Sequence, residues 1–127
     1  MRTSRTMFPI VVLSVSVIIV PAAGAAHASI IYVDRSATGP TPDGATWCTA
    51  YVDLQNALAV ATAGDEIRIA NGTYKPDRGT RSRTATFRLI NGVALRGGYA
   101  GCGAPDPNLR NFTAYESILS GDLDGND

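Results

Sequence analysis

The segment "DLQNALAVATAGDEIRIANGTYK" (residues 53–75) changes its hydrophobic period halfway along. In its first part, apolar side chains recur at i, i+3, i+4 and i+7, one face of a helix; they are Leu54, Ala57, Leu58 and Ala61. Asp53 stands where an N-cap belongs, and Gly64 stands where a C′ glycine belongs. Asp53 and Gln55 are expected to satisfy free backbone N–H groups at the helix start. The spacing therefore predicts one short helix with a narrow apolar face.

Beyond Gly64 the hydrophobic period becomes two, as in a strand. Ile67 and Ile69 point to one face, and the charged Glu66 and Arg68 point to the other. The next two residues, Asn71-Gly72, both tolerate positive φ, so they are expected to turn the chain.

Further strands are predicted on both sides of this segment. "IIYV" (residues 30–33) is β-branched and aromatic and ends at Asp34, and "SILSG" (residues 117–121) resembles it. "ATFRLINGVALRGGYAG" (residues 85–101) repeats the alternation twice, with Phe87 and Leu89 on one strand and Val93 and Leu95 on the next. The residues between 35 and 46 have loop composition.

The spacing of these strands separates two architectures. Ile67 and Val93 are 26 residues apart, and Val93 and Ile118 are 25 apart, with no helical pattern after residue 64. A near-constant period of this size indicates a solenoid, whose parallel crossovers are made of further short strands. The alternative is a small antiparallel sandwich, with Asn71-Gly72 as a two-residue hairpin turn. Because Pro76 soon interrupts the return strand, the solenoid is favoured, and in its register Arg68 stacks beside Ala94.

The same residues resemble the opening of right-handed parallel β-helix proteins of the pectin-lyase-like fold. The resemblance rests on a capping helix, a "GD-x-I" entry to the first strand and a "GTY" turn, here Asp53–Leu58, Gly64–Ile67 and Gly72–Tyr74. Together with "NGVALRGGYAG" (residues 91–101) and "ILSGDLDG" (residues 118–125), they are similar to exported bacterial β-helix proteins with polymorphic outer-membrane-protein-like repeats.

The resemblance implies an all-β fold that starts a right-handed parallel β-helix with one N-terminal capping α-helix. It divides the chain into residues 29–64, with the first strand, loop and capping helix, and residues 65–127, with the first two to three coils. Because a solenoid needs at least three stacked repeats and two caps, the chain is expected to be the N-terminal portion of a longer protein.

The first 28 residues have the layout of a cleaved secretory signal peptide. Arg2 and Arg5 precede an apolar run over residues 8–20, and "AHA" (residues 26–28) supplies a cleavage pattern after Ala28, before Ser29. A transmembrane anchor is the alternative, but thirteen residues fall short of the roughly 20 needed to span a bilayer. The prediction is a secreted or surface-exposed protein without a transmembrane helix in its mature chain.

Charge and histidine content exclude several functions of the mature chain. The full chain has 11 basic and 11 acidic residues, and loss of Arg2 and Arg5 leaves 9 against 11, a net charge of −2. Nucleic acid is therefore not an expected partner. The only histidine, His27, leaves with the signal peptide, which excludes histidine-based triads, bases and zinc ligands.

Cys48 and Cys102 are the only cysteines in a chain predicted to be exported. An even count in an oxidising compartment indicates one disulfide. Two free thiols or part of a metal site are the alternatives, although a metal site needs more ligands at closer spacing.

Two clusters of acidic residues are candidates for a functional site, one for catalysis and one for Ca²⁺ binding. Asp65 and Glu66 with Arg68 could form a catalytic cluster, but neighbouring strand residues point to opposite faces, so a solvated strand face is favoured and no catalytic residue is assigned. Asp122, Asp124 and Asn126 match positions 1, 3 and 5 of a Ca²⁺-binding loop, but the glycine of position 6 and the glutamate of position 12 are missing. No cofactor is assigned beyond this incomplete Ca²⁺ motif.

The predicted function is that of an exported scaffold or surface protein with an adhesive or carbohydrate-interacting role. Its expected partners are extracellular polysaccharide or cell-surface components. The alternative is the N-terminal part of a polysaccharide lyase, hydrolase or esterase whose active site lies beyond residue 127.

Overall fold

The computed structural model describes residues 28–125 of the chain. Residues 1–27 of the predicted signal peptide and Asn126 of the Ca²⁺ motif lie outside the described residues. The regular secondary structure of this part is mostly strand, with one short helix. Its elements, in chain order, are β1 (Ile30–Val33), α1 (Leu54–Val60), β2 (Glu66–Ala70), β3 (Gly72–Tyr74), β4 (Ala94–Tyr99) and β5 (Ser117–Leu119).

The strands form two small parallel sheets. One sheet has the order β1-β2-β4, and the other pairs β3 with β5. Ile31, Ile67 and Leu95 lie beside one another across the first sheet, and Thr73 lies beside Ile118 in the second. Within residues 28–125 all pairs of named strands are parallel, so the antiparallel sandwich is excluded.

Asn71 forms the corner between the two sheets. It is the single residue between β2 and β3, and its N–H donates to the Tyr99 carbonyl at the end of β4 (2.9 Å). Across this corner, the buried Tyr74 hydroxyl donates to the Ala70 carbonyl at 2.9 Å. Burial raises the pKa of Tyr74, so this hydroxyl keeps its proton. The predicted turn at Asn71-Gly72 is therefore confirmed as a corner between sheets rather than a hairpin.

The main core lies between α1 and the first two strands of the three-stranded sheet, β1 and β2. It contains Ile31, Val33, Leu54, Ala57, Leu58, Ala61, Ile67, Ile69 and Tyr74. Toward β4 the packing becomes looser, because Val93 and Leu95 are only partly buried. Ile118 and Leu119 of β5 are exposed. The helix and β1 thus close one side of the core, and β4 is the edge strand on the other side.

Several sequence predictions need correction in detail. The helix ends with Ala61 as its C-cap, so Gly64 lies in the following turn and is not the C′ residue. Asp53 is the N-cap but makes no capping hydrogen bond through its side chain. Gln55 instead donates to the Pro76 and Thr86 carbonyls, each at 2.8 Å, and anchors the loop after β3.

The predicted strand at Phe87 and Leu89 and the constant strand period are also wrong. Residues 85–90 form no strand, and Leu89 is exposed while Phe87 packs partly against the core. Neighbours across the sheets are separated by 36 residues for Ile31 and Ile67, and by 28 for Ile67 and Leu95. The connections differ in length because the loops before α1 and after β3 are long and irregular.

Candidate functional site

The outer face of the three-stranded sheet carries a row of polar and aromatic side chains. Ile31 and Ile67 point into the core, so their neighbours Tyr32 and Arg68 point outward by the alternation of a strand. Tyr32 lies beside Arg68 on β2, and Arg68 lies beside Arg96 on β4. The prediction that Arg68 stacks beside Ala94 is therefore wrong: Ala94 lies beside Glu66, and the register is shifted by two residues.

Glu66 holds the two arginines of this row in place. Its Oε1 accepts a hydrogen bond from Arg68 Nε at 2.7 Å, and its Oε2 lies 3.2 Å from Arg96 Nε. The hydrogen bond to Glu66 raises the pKa of Arg68, which keeps this guanidinium charged. One carboxylate is thus shared by two guanidinium groups that belong to adjacent strands.

A third arginine extends the row beyond the edge of the sheet. Arg110 donates from Nε to the Gly97 carbonyl at 2.9 Å, which fixes its guanidinium beside β4. The Arg110 guanidinium lies 5.5 Å from the centre of the Tyr99 ring and 4.5 Å from that of Phe112. Arg68 lies 5.6 Å from the same Tyr99 ring. We call Arg68, Arg96 and Arg110, together with Glu66, the arginine face.

An aromatic cluster lies beside the arginines of this face. Trp47 packs against Tyr32 and Tyr99, with ring centres 4.7 and 5.3 Å apart. Its indole Nε1 donates to Asn108 Oδ1 at 2.9 Å, so the loop before α1 is held against the loop that carries Arg110. Trp47, Tyr99 and Ala70 form a second buried cluster, separate from the main core.

The predicted disulfide is confirmed and fastens the same two loops. Cys48 and Cys102 are bonded, with their Cα atoms 4.9 Å apart. The bridge lies next in sequence to Trp47 and close to Tyr99, so it ties the aromatic cluster to the end of β4. Free thiols and a cysteine metal site are excluded because both sulfur atoms are consumed in the bridge.

Asp65 is not part of the arginine face and is not solvated. Its carboxylate is buried and accepts hydrogen bonds from Ser29 and Thr62. These hydrogen bonds lower the pKa of Asp65 to about 2. Of the three charged residues considered for catalysis, the fold therefore brings Glu66 and Arg68 together and separates Asp65 from them.

The residues of the Ca²⁺ motif make other contacts. Asp122 Oδ1 accepts from the Gly125 N–H at 2.8 Å, and Asp124 Oδ2 pairs with Arg83 Nη2 at 3.1 Å. Between residues 28 and 125 no group of three or more His, Cys, Asp or Glu side chains could hold a metal ion. The Ca²⁺ prediction has no further support from these contacts.

A concave feature separate from the arginine face lies between the turn after β1 and the loop after β3. It encloses about 270 Å³ and is lined by Arg35, Asp53, Lys75, Arg78 and Gly79. The Arg35 Nη1 donates to the Thr73 carbonyl, and Lys75 Nζ donates to the Leu123 carbonyl at 3.4 Å. We call this feature the basic pocket.

Sequence reasoning missed Arg96 and Arg110. The alternation in "VALRGGY" (residues 93–99) carried a signal for Arg96, which stands one residue after the inward Leu95. Arg110 gave no signal, because it lies in an irregular loop whose position depends on the disulfide and on Trp47.

Comparison of the chain with protein-family models, with curated proteins and with solved structures found no match. Within residues 28–125 no helix is long and apolar enough to cross a membrane.

Proposed function

We propose that the chain is an exported protein that binds an acidic polysaccharide on its arginine face. The observation that carries this proposal is the in-register pair of Arg68 and Arg96, which share Glu66 at the outer face of the sheet. Arg110 adds a third guanidinium beside Tyr99. A face with three guanidinium groups and one carboxylate has a local charge of +2, on a mature chain predicted to carry −2.

The geometry of Glu66 favours a carboxylate ligand. Glu66 engages the Nε of each arginine, which leaves the Nη side of both groups to offer paired N–H donors. Paired donors of a guanidinium match the two oxygens of a carboxylate, and uronic acid units carry one carboxylate each. Holding the arginines in advance also reduces the conformational entropy lost on binding.

The exposure of the face suits a long, surface-bound chain rather than an enclosed small molecule. The side chains of Arg96 and Arg68 are 52% and 26% exposed, and they lie on an open sheet surface. The exposed Phe112 ring under Arg110 adds an apolar surface at one end. A polymer crossing the strands would meet Arg68 and Arg96 in succession, at about the 4.8 Å spacing of neighbouring strands.

For the fold, we propose that these residues start a right-handed parallel β-helix. Support comes from the parallel order β1-β2-β4, from the one-residue corner at Asn71, and from a second parallel sheet after that corner. Helix α1 beside β1 corresponds to the capping helix that the resemblance implies. Export through a cleaved signal peptide is supported by the disulfide, which is typical of oxidising compartments.

A polysaccharide-cleaving enzyme is the second candidate, favoured by the contact between Glu66 and Arg68 on an outer sheet face. As a general base, however, Glu66 would have to give up its contacts with two arginines. Binding without turnover supports the first candidate, and release of shortened or unsaturated oligosaccharides supports the second.

Calorimetric titration with polygalacturonate oligomers tests the proposal. Arg68→Gln, Arg96→Gln and Arg110→Gln are each expected to weaken binding about ten- to a hundredfold, because loss of a hydrogen bond to a charged group costs about 1.5–3 kcal/mol. The matched control is Arg83→Gln, which removes the same charge from a side chain that is 84% exposed and paired with Asp124.

The Arg83→Gln control and a fully methyl-esterified oligomer separate carboxylate binding by the arginine face from general attraction between the protein and the oligomer. We expect wild-type affinity for Arg83→Gln and no binding of the esterified oligomer. Equal weakening by all four variants, or equal binding of the esterified oligomer, would contradict the proposal.

A further inference from the structure

The backbone nitrogen of Ser29 lies on a buried carboxylate. Asp65 Oδ1 accepts from the Ser29 N–H at 3.1 Å and from the Ser29 hydroxyl at 2.8 Å. The second oxygen, Oδ2, accepts from the Thr62 N–H at 2.8 Å and from its hydroxyl at 3.2 Å. Asp65 is only 6% exposed, although Ser29, which donates to it, lies at the surface.

Among residues 28–125, the groups that hydrogen-bond to Asp65 or to its neighbouring backbone carry no positive charge. The turn before it contributes Thr62 and Gly64, and the neighbouring segment contributes Gly92 and Ala94 through backbone hydrogen bonds. None of these residues is titratable. The adjacent Glu66 is paired with Arg68 and Arg96 on the outer face of the sheet.

Ser29 is also the residue that the signal-peptide pattern places first in the mature chain. Hydrolysis of the Ala28–Ser29 bond by a signal peptidase consumes one water, and leaves a carboxylate on Ala28 and an ammonium group on Ser29. This ammonium would form at the atom that already lies 3.1 Å from Asp65 Oδ1. An uncharged amide hydrogen bond would then become an ion pair, which is stronger.

We propose that Asp65 is the docking site for the new N-terminal ammonium group, so that signal-peptide cleavage itself locks β1 onto β2. The strand β1 begins at Ile30, and the Glu66 N–H donates to the Ser29 carbonyl at 2.9 Å, so the ion pair lies at the first rung of this pairing. The proposal depends on the predicted cleavage after Ala28 and not on polysaccharide binding.

The sign of the pH dependence follows from the pairing. An ammonium group beside a carboxylate has a folded-state pKa above its unfolded value, which for an α-amino group is about 7.7–8.0. Its contribution to stability is therefore full below about pH 7.7 and is lost as the pH rises through the higher folded-state value. An amide at residue 29 has no such dependence.

The test starts from the full chain, exported and processed, whose N-terminus is determined by sequencing. The processed chain is then compared with a chain that begins at Ala28, which keeps every side chain but carries an amide at residue 29. Competitive acetylation over a pH series gives the pKa of each α-amino group, and thermal unfolding at pH 6 and pH 10.5 gives the two Tm values.

We expect processing before Ser29 and a Ser29 α-amino pKa at least about one unit above the ordinary range, against an ordinary value for Ala28. We also expect a Tm about 4–8 °C higher for the processed chain at pH 6, with no difference at pH 10.5. Asp65→Asn should remove both effects; if it does not fold, the comparison of the two starting residues decides. A different N-terminus, or an ordinary pKa for Ser29, would overturn the proposal.

Discussion

Asp34, the residue that follows β1, accepts a 2.7 Å hydrogen bond from the backbone N–H of Cys102, 68 residues further along the chain. Its other oxygen accepts from the Ser36 N–H at 2.8 Å. The carboxylate is buried beside Gly101, where a Cβ atom would come within 2.7 Å of the Ala70 Cβ. A single aspartate therefore holds the end of β1, its turn and the disulfide loop together.

Replacing this carboxylate is expected to destabilise the protein strongly. Asp34→Ala removes a buried carboxylate and leaves the part-buried Cys102 and Ser36 N–H groups without their acceptor, and we expect a loss of about 2–4 kcal/mol in the free energy of unfolding. Asp43→Ala is the matched control, since Asp43 makes a comparable bond to the Ala45 N–H at an exposed site. Urea titration measures both, and equal losses would contradict the role given to burial.

Reduction of the Cys48–Cys102 bridge is also expected to lower the free energy of unfolding. The bridge joins residues 54 apart, for which the entropy of the unfolded chain predicts about 4 kcal/mol. Unfolding with and without a phosphine reductant, and of a Cys48→Ser/Cys102→Ser variant, measures the effect. A loss below about 1 kcal/mol would show that the Asp34 and Trp47 contacts hold the loops without the bridge.

Truncating an isoleucine on β2 is expected to cost much more stability than truncating one on β5. Ile67→Ala removes a fully buried side chain between β1 and β4, at an expected cost of about 2–5 kcal/mol. Ile118→Ala makes the same chemical change on β5, where the side chain is 46% exposed, and should cost less than about 1 kcal/mol. Chemical unfolding of both variants checks the asymmetry, which similar losses would contradict.

Acidic pH is expected to remove the contribution that the Asp65 carboxylate makes to the stability of the fold. Its folded-state pKa of about 2 lies below the ordinary 3.8, so its stabilising effect is present above pH 3.8 and is lost as the pH falls toward 2. Between pH 5 and pH 2.5, Asp65→Asn should lose less stability than the wild type. If both proteins lose the same stability over this interval, the hydrogen bonds to Ser29 and Thr62 do not favour the charged carboxylate.

Local patterns predicted the elements whose residues alternate or repeat on a helix. The inward Ile67 and Ile69, the apolar face of α1 and the turn at Asn71 all follow from spacing within a few residues. The disulfide followed from a count of two cysteines. The helix, strand and turn depend on residues close together in the sequence, and two cysteines can form only one disulfide.

Features that depend on register and on irregular loops could not be predicted. A constant period placed Arg68 beside Ala94, whereas the length of the loop after β3 sets the pairing with Arg96. Phe87 and Leu89 alternate like strand residues, yet no strand within residues 28–125 pairs with them, and Gln55 holds the loop backbone instead. Asp65 looked solvated because the strand pattern does not reveal that Ser29 and Thr62 surround it.

The arginine face is tested most directly by the Nε–H NMR signals of the arginine side chains during titration with polygalacturonate oligomers. We predict that the signals of Arg68, Arg96 and Arg110 shift with one common affinity, that added salt weakens this affinity, and that the Arg83 signal stays in place. Shifts confined to Arg35 and Arg78 would locate binding in the basic pocket. That result, or the absence of any shift, would contradict the central claim.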